Sequence, residues 1–171
     1  MKKFLPWIVL GIIFVVFFII KPVDKLQIAG QNMMPTYQNK QIVWLNKSAY
    51  WFGKPKRGDI VVFIENRGSD HYERIYRVIA IPEDAVKIQN GAVYLNSQEI
   101  QESYSQGRTE ILKPDVIAEG KDYTLKDNEY FVLGDNRADS KYDSRSIGMV
   151  NAHVTDVSNI HTLILGKVFS F

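Results

Sequence analysis

The start of this chain most limits what it can fold into. Lys2 and Lys3 precede residues 4–20, an uncharged apolar run broken only by Pro6 and Gly11 and closed by Lys21 and Pro22. A helix of that length reaches about 25 Å, the short end of what crosses a hydrocarbon core of about 30 Å. The run is apolar all round, so it offers water no polar face, as a surface helix of a soluble domain would. No small-x-small cleavage site follows it, which a removable signal peptide would need. The expectation is an uncleaved, single-pass anchor in a lipid bilayer. Residues 1–3 form a short N-terminus, 4–21 the transmembrane helix and 22–171 a separate folded domain. Charge sets the orientation only weakly, because Lys2 and Lys3 face Lys21, Asp24 and Lys25 across the span.

Behind the anchor the chain reads as β. A length of 171 residues suffices for one domain with a real core. An aromatic share of 12%, spread through short Val/Ile/Tyr/Phe runs, favours strands over helices. Strands are expected at 26–29, 41–45, 60–64, 75–81, 86–89, 92–95, 123–125, 129–133, 148–150 and 162–169. Asn90-Gly91 between two alternating runs marks a hairpin. Residues 48–56 read as a loop whose Trp51 and Phe52 fill the core or, as the alternative, touch the membrane, 65–70 as a polar turn, 97–120 as a flexible insertion and 134–146 as a charged loop. The fold class is therefore mainly β: short, mostly antiparallel strands behind one N-terminal helix. A net charge of +2 gives no nucleic-acid footprint. The absence of cysteine excludes disulfides, thiol catalysis and cysteine-bound metal. His71, His153 and His161 show no zinc spacing, so neither metal nor cofactor is expected.

Four stretches carry the functional information. They are Gly30-Gln31-Asn32-Met33-Met34-Pro35-Thr36; Arg57-Gly58-Asp59-Ile60-Val61-Val62-Phe63; Ile75-Tyr76-Arg77-Val78-Ile79-Ala80-Ile81-Pro82-Glu83-Asp84; and Gly134-Asp135-Asn136-Arg137-Ala138-Asp139-Ser140-Lys141-Tyr142-Asp143-Ser144-Arg145. In this order behind an anchor they resemble the bacterial type I signal peptidases, in the short single-anchor form of Gram-positive bacteria. The likeness runs from the anchor to about Val150. It implies a β domain on the extracytoplasmic side of the cell membrane, with the N-terminus in the cytoplasm. In that family the first motif carries a nucleophilic serine and the third a general-base lysine. Here those positions are Asn32 and Tyr76. The pattern resembles that of catalytically inactive staphylococcal members of the family.

Elementary chemistry points the same way. A serine–lysine pair needs a hydroxyl that loses its proton as it attacks, and a neutral amine to take that proton. The carboxamide of Asn32 has a delocalised nitrogen lone pair and forms no acyl-enzyme. The phenol of Tyr76 is protonated at neutral pH and is a poor base. The resemblance also implies an oxyanion site from the backbone N–H of Asn32 with a second donor at Gly30, and a groove that takes a signal peptide as an extended strand. Ile28, Gly30 and Gln31 are expected on one wall and residues near Tyr76 on the other. Ser140, Asp135, Asn136, Arg137, Asp143 and Arg145 match positions that support the site. The expectation is an inactive homologue with signal peptides or an active signal peptidase as partner. Two alternatives stand beside it. One is a weak membrane-bound serine peptidase with a substituted catalytic group, for which Asp70, His71, Ser140 and Ser144 supply the residue types. The other is a purely structural β domain.

Overall fold

A computed structural model describes residues 5–20, 23–113, 116–152 and 162–170. In chain order the elements are α1 (Leu5–Ile20), β1 (Val23–Gln27), β2 (Ile42–Asn46), β3 (Ile60–Arg67), β4 (Asp70–Ala80), β5 (Ala85–Gln89), β6 (Ala92–Leu95), β7 (Gln98–Glu99), β8 (Tyr123–Thr124), β9 (Glu129–Leu133), α2 (Ser144–Ile147), β10 (Val150–Asn151) and β11 (Thr162–Phe169). The mainly β expectation therefore holds. α1 has 16 residues, about 24 Å of helix. No helix among the described residues is long and apolar enough to cross a membrane.

Seven strands form one sheet in the order β1-β2-β11-β10-β9-β4-β3, and β11 also pairs with β3. The ring β11–β3–β4–β9–β10 thus closes on itself, with β1 and β2 as a flap on its side. Its interior is filled by Val43, Val61, Val62, Phe63, Val78, Tyr130 and Val132, with Ile28 and Met33 brought in from the segment after β1. A smaller sheet, β7-β6-β5-β8, stands beside it. Val86, Ile88, Val93 and Ile117 pack there against Ile79, Phe131 and Leu133 at the ends of β4 and β9. Asn90 and Gly91, with φ of 52° and 77°, make the left-handed turn that the hairpin β5–β6 requires.

Two sequence expectations need correction. Residues 65–70 are not a polar turn: β3 and β4 stay paired through Arg67↔Asp70, and only Gly68 and Ser69 turn. Polar side chains hold this extension. Glu65 receives both Arg67 and Arg74, and both guanidiniums lie over Tyr72 and Tyr142. Such cross-strand pairs stabilise a ladder that has no apolar face of its own. Nor do Trp51 and Phe52 fill the core; they are 51% and 100% exposed. Tyr50 takes the inward position instead, packed on the core with its hydroxyl donating to Asp59 Oδ2 at 2.9 Å. Residues 97–120 carry little regular structure, yet Thr109 and Ile117 are buried within them.

Candidate functional site

The segment after β1 is pinned before it reaches Asn32. The Ile28 N–H donates to Gln41 O at 2.9 Å, and the Lys40 N–H returns to Ile28 O at 2.8 Å. Ile28, Met33 and Tyr37 plug into the core on either side. Gly30 bends the chain at φ +91°, a conformation that a residue with a Cβ rarely adopts. Asn32 is then left half-buried at the surface of the ring. Its carbonyl accepts the Asn136 N–H at 3.0 Å and the Ser140 hydroxyl at 3.2 Å. Its side-chain Nδ2 donates to the carbonyl of Ile75 at 2.8 Å. Position 32 is therefore tied to the charged loop on one side and to β4, one residue from Tyr76, on the other.

The charged loop is built around two buried arginines. Arg145 and Asp143 have no exposed side-chain surface and pair at 2.9 Å. Arg145 also donates to the carbonyls of Arg137, Ser140 and Glu110. Arg137 donates to Gly134 O, to Thr109 Oγ1 and to Glu102 Oε1, the last at 2.6 Å. Asp135 accepts two bonds from Arg77, at 2.8 and 2.5 Å, and one from Thr36. Gly134 has to be glycine: a Cβ there would sit 1.5 Å from Ser140 Oγ and 2.7 Å from Asn32 O. Of the six supporting residues named from the sequence, Asn136 and Ser140 bond the Asn32 carbonyl, Asp135 bonds Thr36 and Arg77, and Arg137, Asp143 and Arg145 hold the loop itself. The sequence did not point to Thr36, Glu102, Thr109 or the Ile75 carbonyl. Arg77 carried one readable signal, a lone charge inside the apolar run 75–81.

Beside Asn32 runs a groove of about 400 Å³, walled by Leu26, Gln27 and residues 29–32 on one side and by residues 73–76 on the other. Asp139, Lys141 and Tyr142 close its end. Leu26 and Gln27 belong to β1 and residues 73–76 to β4, so each wall includes a strand edge. Among the described residues β1 pairs with β2 alone. β4 pairs with β3 from Asp70 to Arg77, but with β9 only from Arg77 onward. Residues 70–76 therefore have no second strand partner among the described residues. In an antiparallel ladder the N–H and C=O of one residue point the same way and alternate along the strand. Since Ile75 O faces Asn32, Ile75 and Glu73 turn their backbone groups into the groove.

The chemistry available here is limited. Tyr76 is 3% exposed and stacks at a tilt on Phe63, ring centres 5.8 Å apart. Burial, followed by the negative charge of Asp143, pushes its phenol well above the usual tyrosine range, so it stays protonated. The Gly30 N–H is committed to Asn39 Oδ1 at 3.0 Å, which removes the second oxyanion donor expected there. Ile28, expected in the groove wall, is 1% exposed and belongs to the core; Ala29 lines the groove in its place. His71 pairs with Asn66 at 2.6 Å near the hairpin tip, about 17 Å of strand from Tyr76. Asp70, His71 and Ser140 are not brought together, and Ser144 Oγ is spent accepting the Val132 N–H. No cluster of metal-ligating side chains occurs among the described residues. His153 and His161 lie outside them.

The sequence is similar to known proteins over most of its length. The family model "Signal peptidase, peptidase S26" covers residues 1–161. Signal peptidase IB of Staphylococcus aureus is 32% identical over 164 residues, which is 88% of this chain and 84% of that protein. Signal peptidase I S of Bacillus subtilis is 33% identical over 124 residues, covering 70% and 65% of the two chains. A crystal structure of a signal peptidase I from Enterococcus faecalis V583 aligns at 27% identity and a TM-score of 0.42, over 57% of this chain and 90% of that one.

Proposed function

The chain belongs to the bacterial type I signal peptidase family, and from that premise we propose that it is a member that binds without cutting. The observation that carries this reading is the bond from Asn32 Nδ2 to Ile75 O. A donor amide stands at the position where the family pattern puts a nucleophile, and it is turned to a backbone acceptor. Beside it is a buried phenol that stays protonated. Neither group can start acyl transfer or accept the proton it releases.

What remains is a peptide groove between two open strand edges, lined by backbone groups that need no chemistry to be useful. An exported protein's signal segment, extended between β1 and residues 73–75, would complete both edges. The Asn32 amide competes for one acceptor of that ladder, so binding is weaker than in a relative with serine there. α1, within the apolar sequence run of residues 4–20, acts as the anchor and holds the β domain at the outer face of the cell membrane. An active signal peptidase working on the same substrates is the natural companion.

The test is cleavage of a signal-peptide substrate by the full chain in detergent. The unaltered protein releases no product above background. The pair Asn32→Ser with Tyr76→Lys restores cleavage, because a lysine buried at position 76 has a lowered pKa and serves as a base; either change alone restores none. Turnover by the unaltered chain, abolished by Ser140→Ala, would replace this reading with that of a peptidase using a substituted group. Crosslinking of a signal peptide to Ile75 or Glu73 reads the binding half separately.

A further inference from the structure

Lys141 and Tyr142, which close one end of the groove, also line a second hollow of about 450 Å³. Residues 65–67, in the outer part of β3, line it together with Ser146, Ile147 and Thr162. The two hollows thus share a border, and an extended peptide that leaves the groove over Lys141 enters the second. The border is held in place. The Ser146 hydroxyl donates to Lys141 O at 2.7 Å, and the Tyr142 ring lies 4.2 Å from the Arg74 guanidinium and 4.8 Å from that of Arg67.

Charge differs across this border. Glu73 and Asp139 line the groove and not the second hollow. The one carboxylate that lines the second is Glu65, 6% exposed and already divided: Oε1 takes Arg67 and Oε2 takes Arg74. Two guanidiniums against one carboxylate leave a positive charge over. Arg67 spends Nε and Nη2 on Glu65, has further N–H donors, and keeps 46% of its side chain exposed. Lys141 adds a second charge; it is exposed and makes no ion pair among the described residues. These two suffice without Lys113, which lines the same hollow and has contacts of its own. A peptide that crosses Tyr142 therefore passes from two carboxylates to a surplus of cations, where an acidic side chain finds complementary charge and donors.

We infer that the second hollow is an acid-accepting subsite, in which Arg67 and Lys141 hold an Asp or Glu side chain of the bound peptide just beyond the stretch seated in the groove. This rests on the groove taking a peptide, and the test separates the two claims. A labelled signal-peptide segment carries Asp-Asp, Asn-Asn or Lys-Lys directly before or directly after the stretch that fills the groove. Binding to the full chain in detergent is read by fluorescence anisotropy. The Asp-Asp peptide is expected to bind about two- to five-fold more tightly than the Asn-Asn peptide, the size of one or two partly exposed ion pairs, and on one flank only. The Lys-Lys peptide binds more weakly than either on that flank. The Asp-to-Asn ratio shrinks as salt is raised. It falls with Lys141→Gln, an exposed change that leaves Glu65 its partners, and reaches about one when Arg67→Gln is added. The Asn-Asn peptide is the reference in each variant, so the ratio reads the subsite and not the fold. Equal binding of the Asp-Asp and Asn-Asn peptides, or the same gain on both flanks, would overturn the subsite and leave the groove standing. A ratio unmoved by the substitutions would also overturn it. No binding of any of these peptides would overturn the peptide reading of the groove and the subsite with it.

Discussion

The charged loop of residues 134–145 and the two positions it surrounds, Asn32 and Tyr76, sit within one network yet do different work. In the loop, Arg145, Asp143, Arg137 and Asp135 are buried, and each is held by several hydrogen bonds. At position 32 the backbone is held as firmly, while the side chain makes a single bond to a partly exposed strand edge. The comparison teaches that the backbone at position 32 is held by one set of residues and its side chain by another. Shape resides in buried charges that the fold needs for its own stability. The two positions where the family pattern puts its reactive groups differ from the loop and from each other: the Asn32 side chain is half-buried with a single bond, whereas Tyr76 is packed on Phe63 within the core.

Four measurements would break or sharpen that contrast. The largest effect is expected from Asp143→Ala. It strands the Arg145 guanidinium in the core and should cost about 3–5 kcal/mol in denaturant unfolding of the full chain in detergent. A cost like that of a surface change would erase the distinction drawn above. Gly134→Ala comes next. Its new methyl collides with Ser140 Oγ and Asn32 O and should cost about 1–3 kcal/mol. Adding Ser140→Gly should recover only part of that, because the backbone collision remains. Asn32→Ala should cost about 1 kcal/mol or less, since only one half-exposed bond is lost. The same change frees Ile75 O and should raise the yield of peptide crosslinking; unchanged yield would mean the amide does not compete for that edge.

The smallest effect is a control from outside both regions. Burial would raise the pKa of Asp84, but the bonds from Arg57, the Ile81 N–H and Asn96 prevail and hold it below the usual carboxylate range. A depressed folded pKa stabilises the fold fully above the unfolded value, about 3.9, and that contribution is lost as pH falls through the folded value. Asp84→Asn should therefore be less stable than the unaltered chain by about 1 kcal/mol at neutral pH, and the gap should close below about pH 4. A gap independent of pH would remove the carboxylate as its cause.

Much of the fold was legible because its signals are local. β9 and β11 have the bounds that their alternating runs predict, and the Asn90-Gly91 turn carries the left-handed backbone its residues favour. The hairpin β3–β4 was read too short because its outer half is held by Arg–Glu and Arg–Tyr contacts, which no apolar alternation announces. Trp51 and Phe52 stand exposed where a core place was expected, because Tyr50 takes the inward position of that turn, and hydrophobicity alone does not say which of three consecutive aromatics turns inward. At the site, the identities of Asn32 and Tyr76 could be read directly. Their consequences could not, because the partners that settle them are distant in sequence: Ile75 for the amide, Asp143 for the phenol, Asn39 for the Gly30 N–H. Glu102 and Thr109 lie in a stretch of polar residues with nothing to distinguish them until Arg137 is seen between them.

The ring of strands has a consequence for how such a domain comes into being. β11, near the C-terminal end of the domain, joins β2 on one flank and β3 on the other, and touches β10 as well. The early strands therefore wait, edges open, until the chain as far as β11 has been made. Closure across so long a stretch of chain is slow. The first two strands thus stay unpaired with the rest longest, and the moment at which the sheet seals is set by the arrival of that single segment.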